Sequence, residues 1–266
     1  MLLRFGKLYC LGDDLMLVDN LAQQAQLEPS LIQQWSRRTQ GVGFRRLVVV
    51  DIPRDPAADF DCRSFDRNGS EVDSCFADLC CAARFLHDKR LTNQPGLRLQ
   101  TAGGCVDIHM RDDGWVSASY GNIGLLGTDV LPEELERYLQ QLAQRHALIL
   151  DWQAHGRQLL VWADQAPPQR LHRLLQPVAR KLRGWQLLWL YTHEEHIRVQ
   201  GWQADAEPAG HDPVWLIASM VQQNWPQQAV QVEWQQDCLL LEFSPQQDSV
   251  QLCARAWPAY EGQIRL

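Results

Sequence analysis

A single cysteine lies where the sequence predicts the start of a helix. Asn68 and Gly69 form a turn signal, and Ser74 can cap the helix that follows. Apolar side chains from Leu79 to Leu86 cover too much of the circumference for a surface helix, which predicts a buried central helix. At its N-terminus Cys75 would face unpaired backbone N–H groups and the positive end of the helix dipole, which favours the thiolate over the thiol. Such a cysteine can act as a base or as a nucleophile.

Strand-like segments flank this helix in the sequence. Residues 47–52 form an apolar, mostly β-branched run that predicts a buried strand, and residues 59–65 alternate as a half-exposed strand does. The glycine-rich residues 121–127 predict a domain boundary. Residues 132–146 then predict an amphipathic helix, and residues 148–162 a hairpin.

The second half repeats this arrangement of strand, loop and helix. Residues 168–183 predict a basic amphipathic helix, and residues 185–192 and 196–202 predict two further strands. A polar loop at 203–213 leads into a second apolar helix at 214–223. The sequence thus predicts two similar halves.

Composition narrows the class of protein. The 266 residues are 45% hydrophobic and 21% charged, with a net charge of −7, which indicates a globular protein and argues against a nucleic-acid partner. The sequence has no apolar run long enough to span a membrane and no leader, which predicts a cytoplasmic protein. The eight cysteines have no C-x-x-C spacing, so we expect reduced, mostly buried thiols and no metal site.

Several segments of the first half resemble proteobacterial diaminopimelate epimerases. The segments that carry the resemblance are LGDDLMLVD (11–19), QGVGFRRLVVV (40–50), ADFDCRSFDRNGSEVDSC (58–75), ARFLHDKRLT (83–92) and the ending YEGQIRL (260–266). The resemblance implies an α+β fold of two pseudo-symmetric halves, each an antiparallel barrel-like sheet around a central helix. It assigns residues 1–121 and 258–266 to the first half and residues 122–257 to the second, with the last strand crossing back to the first half.

The resemblance also implies a cofactor-independent enzyme with one cysteine from each half, and one of these is missing. Cys75 follows Glu71-Val72 as the first cysteine does in the family. The second falls on residues 208–213, where the chain has no cysteine. His211 and Asp212 are the nearest titratable substitutes, although a solvated loop explains His211 equally well. A proton must leave one face of the α-carbon and return on the other, which a single thiol cannot do.

The positions that would bind substrate are also substituted. By the resemblance these positions are Asp13, Arg45, Arg46, Asp66, Phe76, Ala77 and Asp78. Phe76 would fill the space that a substrate carboxylate needs, and Asp78 would repel it. Because new acids and new arginines occur together, we hypothesise that Asp13, Asp66 and Asp78 pair with Arg45 or Arg46. The rival interpretation is that the arginines recruit a different anionic ligand.

Three functions remain open from the sequence. The first is a divergent paralogue that has lost two-base epimerase activity and acts in binding, regulation or assembly with a partner. The second is an isomerase, lyase or cyclase that uses Cys75 alone on an amino-acid-like molecule. The third is a true epimerase with a substituted second base. Eight of the eleven tryptophans lie between residues 150 and 240. This half could support a homodimer or a protein partner, although core filling is the default reading.

Overall fold

The computed structural model describes residues 2–121, 130–155, 158–167, 186–193, 196–203, 229–234, 237–244 and 249–266. Their elements, in chain order, are β1 (Leu2–Cys10), β2 (Asp13–Asp19), α1 (Asn20–Gln23), α2 (Pro29–Ser36), β3 (Arg46–Asp51), β4 (Phe60–Phe65), β5 (Glu71–Val72), α3 (Phe76–Asp88), β6 (Gly96–Thr101), β7 (Gly104–Met110), β8 (Trp115–Gly121), α4 (Glu133–His146), β9 (Leu150–His155), β10 (Gln158–Ala163), β11 (Gln186–His193), β12 (His196–Gln203), β13 (Ala229–Trp234), β14 (Asp237–Ser244), β15 (Ser249–Arg255) and β16 (Trp257–Arg265). The expected α+β class is confirmed.

The chain divides into two compact units. The first contains residues 1–119 and 251–266, and the second contains residues 120–250. Strand β16 pairs antiparallel with β1, from Leu2 opposite Arg265 to Tyr9 opposite Trp257. The last strand therefore lies beside the first strand, within the first unit. Residues 251–257, which the sequence assigned to the second half, lie in the first unit.

The first unit contains a mixed sheet with the strand order β16-β1-β2-β3-β4-β6-β7-β8-β15, and β5 pairs with β4. The sequence led us to expect antiparallel strands, but β2 with β3 and β4 with β6 are parallel pairs. Parallel neighbours need a crossover connection, usually a helix. Here α1 and α2 lie between β2 and β3, and α3 lies between β4 and β6.

Helix α3 is the buried central helix that the sequence predicts. It contacts β1, β2, β3 and β7, and most of its residues are buried, including Leu79, Cys80 and Leu86. It begins one residue later than expected, because Cys75 and not Ser74 is the N-cap. The Ser74 hydroxyl instead lies 2.9 Å from the Ser64 hydroxyl and 3.4 Å from the carbonyl of Cys62. The Ser74 hydroxyl is therefore engaged by strand β4 and does not cap the helix.

The opposite face of this sheet packs on α2. Ile32 and Trp35 of α2 form a core cluster with residues of β1 to β4, among them Leu47, Val49 and Phe65. Because α2 covers one face of β3 and α3 contacts the other, Leu47 to Val50 are all buried. This explains why β3 is a continuous apolar run and does not alternate.

The described part of the second unit contains a sheet with the order β14-β13-β12-β11-β10-β9. Strands β9 and β10 form the predicted hairpin, and α4 packs on this sheet through Leu135, Leu139 and Leu142. Trp189 and Trp234 are almost fully buried, so these two fill the core and present no binding surface. The predicted helices at 168–183 and 214–223 lie outside the described residues, as does nearly all of the 203–213 loop.

No helix in the described ranges is long and apolar enough to cross a membrane. All eight cysteines belong to the described residues, and none of them forms a disulfide. Six are buried, as expected for small apolar side chains, and Cys105 and Cys238 are partly exposed.

Candidate functional site

Cys75 caps α3 and is enclosed by the protein. Its backbone is extended, with φ −89° and ψ 171°, and only 4% of the residue is exposed. Phe76 and Ala77 follow it at 0% and 1% exposure. The two positions that follow the cysteine therefore carry buried side chains, an aromatic ring and a methyl group.

The Asp78 carboxylate folds back over the start of the helix. Its Oδ2 atom accepts hydrogen bonds from the Cys75 backbone N–H at 3.0 Å, from the Ser64 hydroxyl at 2.9 Å and from the Arg46 guanidinium at 2.8 Å. The Cys75 side chain in turn accepts from the backbone N–H of Asp78, which completes a capping box. Asp78 is fully buried. A carboxylate of the chain itself thus occupies the anion-binding end of the helix.

Arg46 connects β3 to this helix mouth. Its Nη1 donates to the Asp78 carboxylate at 2.8 Å and to the Asp73 carbonyl at 3.0 Å, and its side chain is 21% exposed. Burial acts to lower the pKa of Arg46. The negative charges of a Cys75 thiolate and of Asp78 outweigh it, so this pKa lies above its ordinary value. Arg46 is therefore a permanent positive charge beside the cysteine.

Arg45 and Asp13 form a second buried pair close to the first. Their Nη1 and Oδ1 atoms are 3.0 Å apart, and their side chains are 15% and 4% exposed. Burial raises the pKa of Asp13 to about 7, and the Asp78 charge adds to this, although Arg45 and Arg46 oppose it. Burial likewise lowers the pKa of Arg45. The carboxyl of Asp13 therefore titrates near neutral pH.

The hypothesis of acid–arginine pairs is confirmed for two of the three acids. Asp13 pairs with Arg45 and Asp78 pairs with Arg46, so both arginines already contact a carboxylate of the chain itself. For Asp66 the hypothesis is wrong. Its Oδ1 accepts from the backbone N–H groups of Asn68 and Ser70, both at 2.9 Å. These local bonds hold the Asn68-Gly69 turn, and Gly69 has φ +80° there.

The other thiols around α3 are poorly suited to chemistry. Burial raises the pKa values of Cys62, Cys80 and Cys81 above that of an ordinary thiol, and a hydrogen bond with Cys10 adds to this for the last two. A thiol with a raised pKa carries little thiolate at neutral pH. These three thiols are therefore weak candidates for a reactive cysteine.

Two groups in the site were missed from the sequence. Ser64 and the Asp73 carbonyl both bind the Asp78–Arg46 pair. A signal for Ser64 exists, since alternation along β4 puts it on the same face as Cys62. The main-chain contact of Asp73 has no signal in the side-chain pattern.

His211 and Asp212 were proposed as substitutes for the second cysteine. Both lie outside the described residues. His193 and His196 are opposite each other where β11 and β12 pair. Across the described ranges no three His, Cys, Asp or Glu residues are grouped as metal ligands are.

We expect Cys75 to be alkylated much more slowly than Cys105 in the native protein, because Cys75 is 4% exposed and Cys105 is partly exposed. Iodoacetamide labelling, followed by mass spectrometry of the peptides, measures both rates in one sample. In denaturant the two rates should converge. Native labelling of Cys75 as fast as that of Cys105 would contradict the enclosed site.

Comparisons with known proteins give one close set of relatives. A diaminopimelate epimerase of Pseudomonas paraeruginosa is 31% identical over 277 residues, covering 100% of both chains. Among solved structures, a phenazine biosynthesis PhzC/PhzF protein of Clostridium difficile has a TM-score of 0.70 at 12% identity, covering 99% of this chain and 100% of that one. A hydroxyproline epimerase of Agrobacterium vitis, solved with trans-4-hydroxy-L-proline, has a TM-score of 0.61 at 11% identity, covering 99% and 91%. No protein-family model matches the chain.

Proposed function

The chain belongs to the diaminopimelate epimerase family, and on this premise we propose that it has lost two-base epimerisation and acts in binding, regulation or assembly with a partner. The observation that carries the proposal is the position of the Asp78 carboxylate. It takes the hydrogen bonds of the Cys75 N–H, Ser64 and Arg46. An amino-acid carboxylate at this helix mouth would have to displace a fully buried side chain and would meet its negative charge.

The number of groups that can donate or accept a proton supports the same proposal. Epimerisation needs an acid and a base on opposite faces of the α-carbon. Cys75 is the one cysteine at the helix mouth, and the chain has no cysteine between residues 106 and 237. Phe76, fully buried, follows Cys75 directly. Both the second thiol and an open space beside the first are needed for the family reaction.

The proposal is tested by incubating the protein with LL-diaminopimelate in D₂O. We expect neither deuterium at the α-carbon nor the meso isomer above the level of the Cys75→Ser variant. The epimerase of Pseudomonas paraeruginosa, assayed in parallel, serves as the positive control. Turnover that disappears in Cys75→Ser would overturn the proposal.

A second candidate function is a one-base isomerase, lyase or cyclase that uses Cys75 on an amino-acid-like substrate. The observation that favours it is the electrostatic setting, because the charge of a Cys75 thiolate acts on both Arg45 and Arg46. Such an enzyme would exchange an α-hydrogen of one member of an amino-acid panel for deuterium, and Cys75→Ser would abolish that exchange. The lost-activity proposal predicts no exchange with any member.

A further inference from the structure

The donors around Asp78 come from three separate parts of the first unit. Arg46 lies on β3, Ser64 lies on β4, and the Cys75 N–H is at the mouth of α3. All three converge on the single oxygen Oδ2 at 2.8 to 3.0 Å. One guanidinium, one hydroxyl and one main-chain N–H form a donor set suited to a carboxylate, because charge-assisted bonds to an ionised acceptor are the strongest.

The second oxygen of the same carboxylate lacks a hydrogen bond within the described residues. Asp78 Oδ1 is completely buried and has no hydrogen-bond partner among the described residues. Leaving a buried acceptor unpaired carries a free-energy cost. The three donors therefore satisfy one oxygen of the carboxylate and leave the other unpaired.

From these contacts we infer that the Cys75 N–H, Ser64 and Arg46 form a receptor for a small monocarboxylate, which the chain fills with its own Asp78 side chain as a built-in ligand. The inference deepens the proposed function and rests on it, because it names what closes the site and the ligand class that the site takes. Ligands larger than the Asp78 side chain are excluded, since Phe76 and Ala77 are buried beside it.

Two substitutions open the receptor to probes of matched size. Asp78→Ala removes only the carboxyl group, which has the size of formate. Asp78→Gly removes the whole CH₂–COO⁻ side chain, which has the size of acetate. We therefore expect formate to stabilise the alanine variant and acetate to stabilise the glycine variant better than it stabilises the alanine variant. Acetamide is neutral and should stabilise neither, because Arg46 and the helix N-terminus select a negative charge.

The experiment measures the Tm of each variant in sodium formate, sodium acetate and sodium chloride at equal ionic strength. At a formate concentration ten times its Kd, Asp78→Ala should melt about 3 to 6 °C higher than in chloride, and above that concentration the shift should grow with the logarithm of the formate concentration. Wild type and Asp78→Asn should show no such difference, because a side chain fills the receptor in both. Asp78→Ala combined with Arg46→Met should lose the response.

A folded Asp78→Ala variant that melts at the same temperature in formate and in chloride would overturn the inference. So would an equal formate shift in the surface variant Asp88→Ala. Should Asp78→Ala not fold in chloride, its refolding yield in formate and in chloride decides the question in the same way. This outcome is independent of the proposed function, which fails only when the wild type shows Cys75-dependent proton exchange with an amino acid.

Discussion

Asp78→Ala is expected to lower the free energy of unfolding by about 3 to 5 kcal/mol, the usual cost of removing one partner from a buried ion pair. The variant leaves the Arg46 guanidinium, the Ser64 hydroxyl and the Cys75 N–H without their shared acceptor. It also removes half of the capping box of α3, which adds to the loss. Urea denaturation followed by circular dichroism measures the effect.

The matched control for this prediction lies on the same helix. Asp88 pairs with Arg84 at 2.9 Å in an i, i+4 arrangement, and its side chain is 36% exposed. Because such exposed pairs contribute about 0.3 to 0.5 kcal/mol, Asp88→Ala should change stability little. Equal losses for Asp78→Ala and Asp88→Ala would show that the Asp78 network does not stabilise the fold as we describe it.

The stability of the wild type is expected to fall as the pH rises from about 4 to about 7, relative to Asp13→Asn. Burial raises the pKa of Asp13 from 3.8 to about 7 in the folded protein. Between these two values the folded state holds a proton that the unfolded state has released, so raising the pH favours unfolding. One titrating group changes the free energy of unfolding by at most about 1.4 kcal/mol per pH unit. Between pH 5 and pH 7 we therefore expect a relative loss of about 2 kcal/mol.

Asp14→Asn is the control for the titration. Asp14 bonds Arg38 and Lys7. Burial acts to raise its pKa, but these two partners reverse the effect and lower it. Its contribution to stability is therefore lost only as the pH falls below the ordinary value of 3.8. Asp14→Asn should lower stability equally at pH 5 and pH 7, with the pH slope of the wild type. If Asp13→Asn keeps that slope as well, another group is responsible for it.

The two predictions concern neighbouring ion pairs, Asp78–Arg46 and Asp13–Arg45, which affect the stability of the protein in different ways. The Asp78 carboxylate has three donors, and Arg46 beside it stays charged at all relevant pH values. Asp13 has Arg45 as its ion-pair partner and is nearly fully buried, so desolvation governs its titration. Asp78 is therefore held at the helix mouth by three donors, whereas the Asp13–Arg45 pair beside it responds to pH.

The local features of this protein follow from patterns that are visible in its amino-acid sequence. The turn at Asn68-Gly69, the buried helix after Cys75 and the apolar strand β3 all follow from patterns within one element, which depend on backbone preference and on periodic burial. The missing second cysteine and the substituted pocket positions are likewise readable residue by residue. The sequence also indicated that acids and arginines had changed together.

Which of these groups come into contact depends on how the elements pack together. Asp78 binds Ser64 and Arg46, which lie 14 and 32 positions away along the chain, and the pairing of β3 with β4 sets their positions. The Asp66 carboxylate is bonded within its own turn, by the backbone N–H groups of Asn68 and Ser70. The pKa of Asp13 depends on its burial beneath side chains from distant segments, a quantity that no pattern within a single element contains.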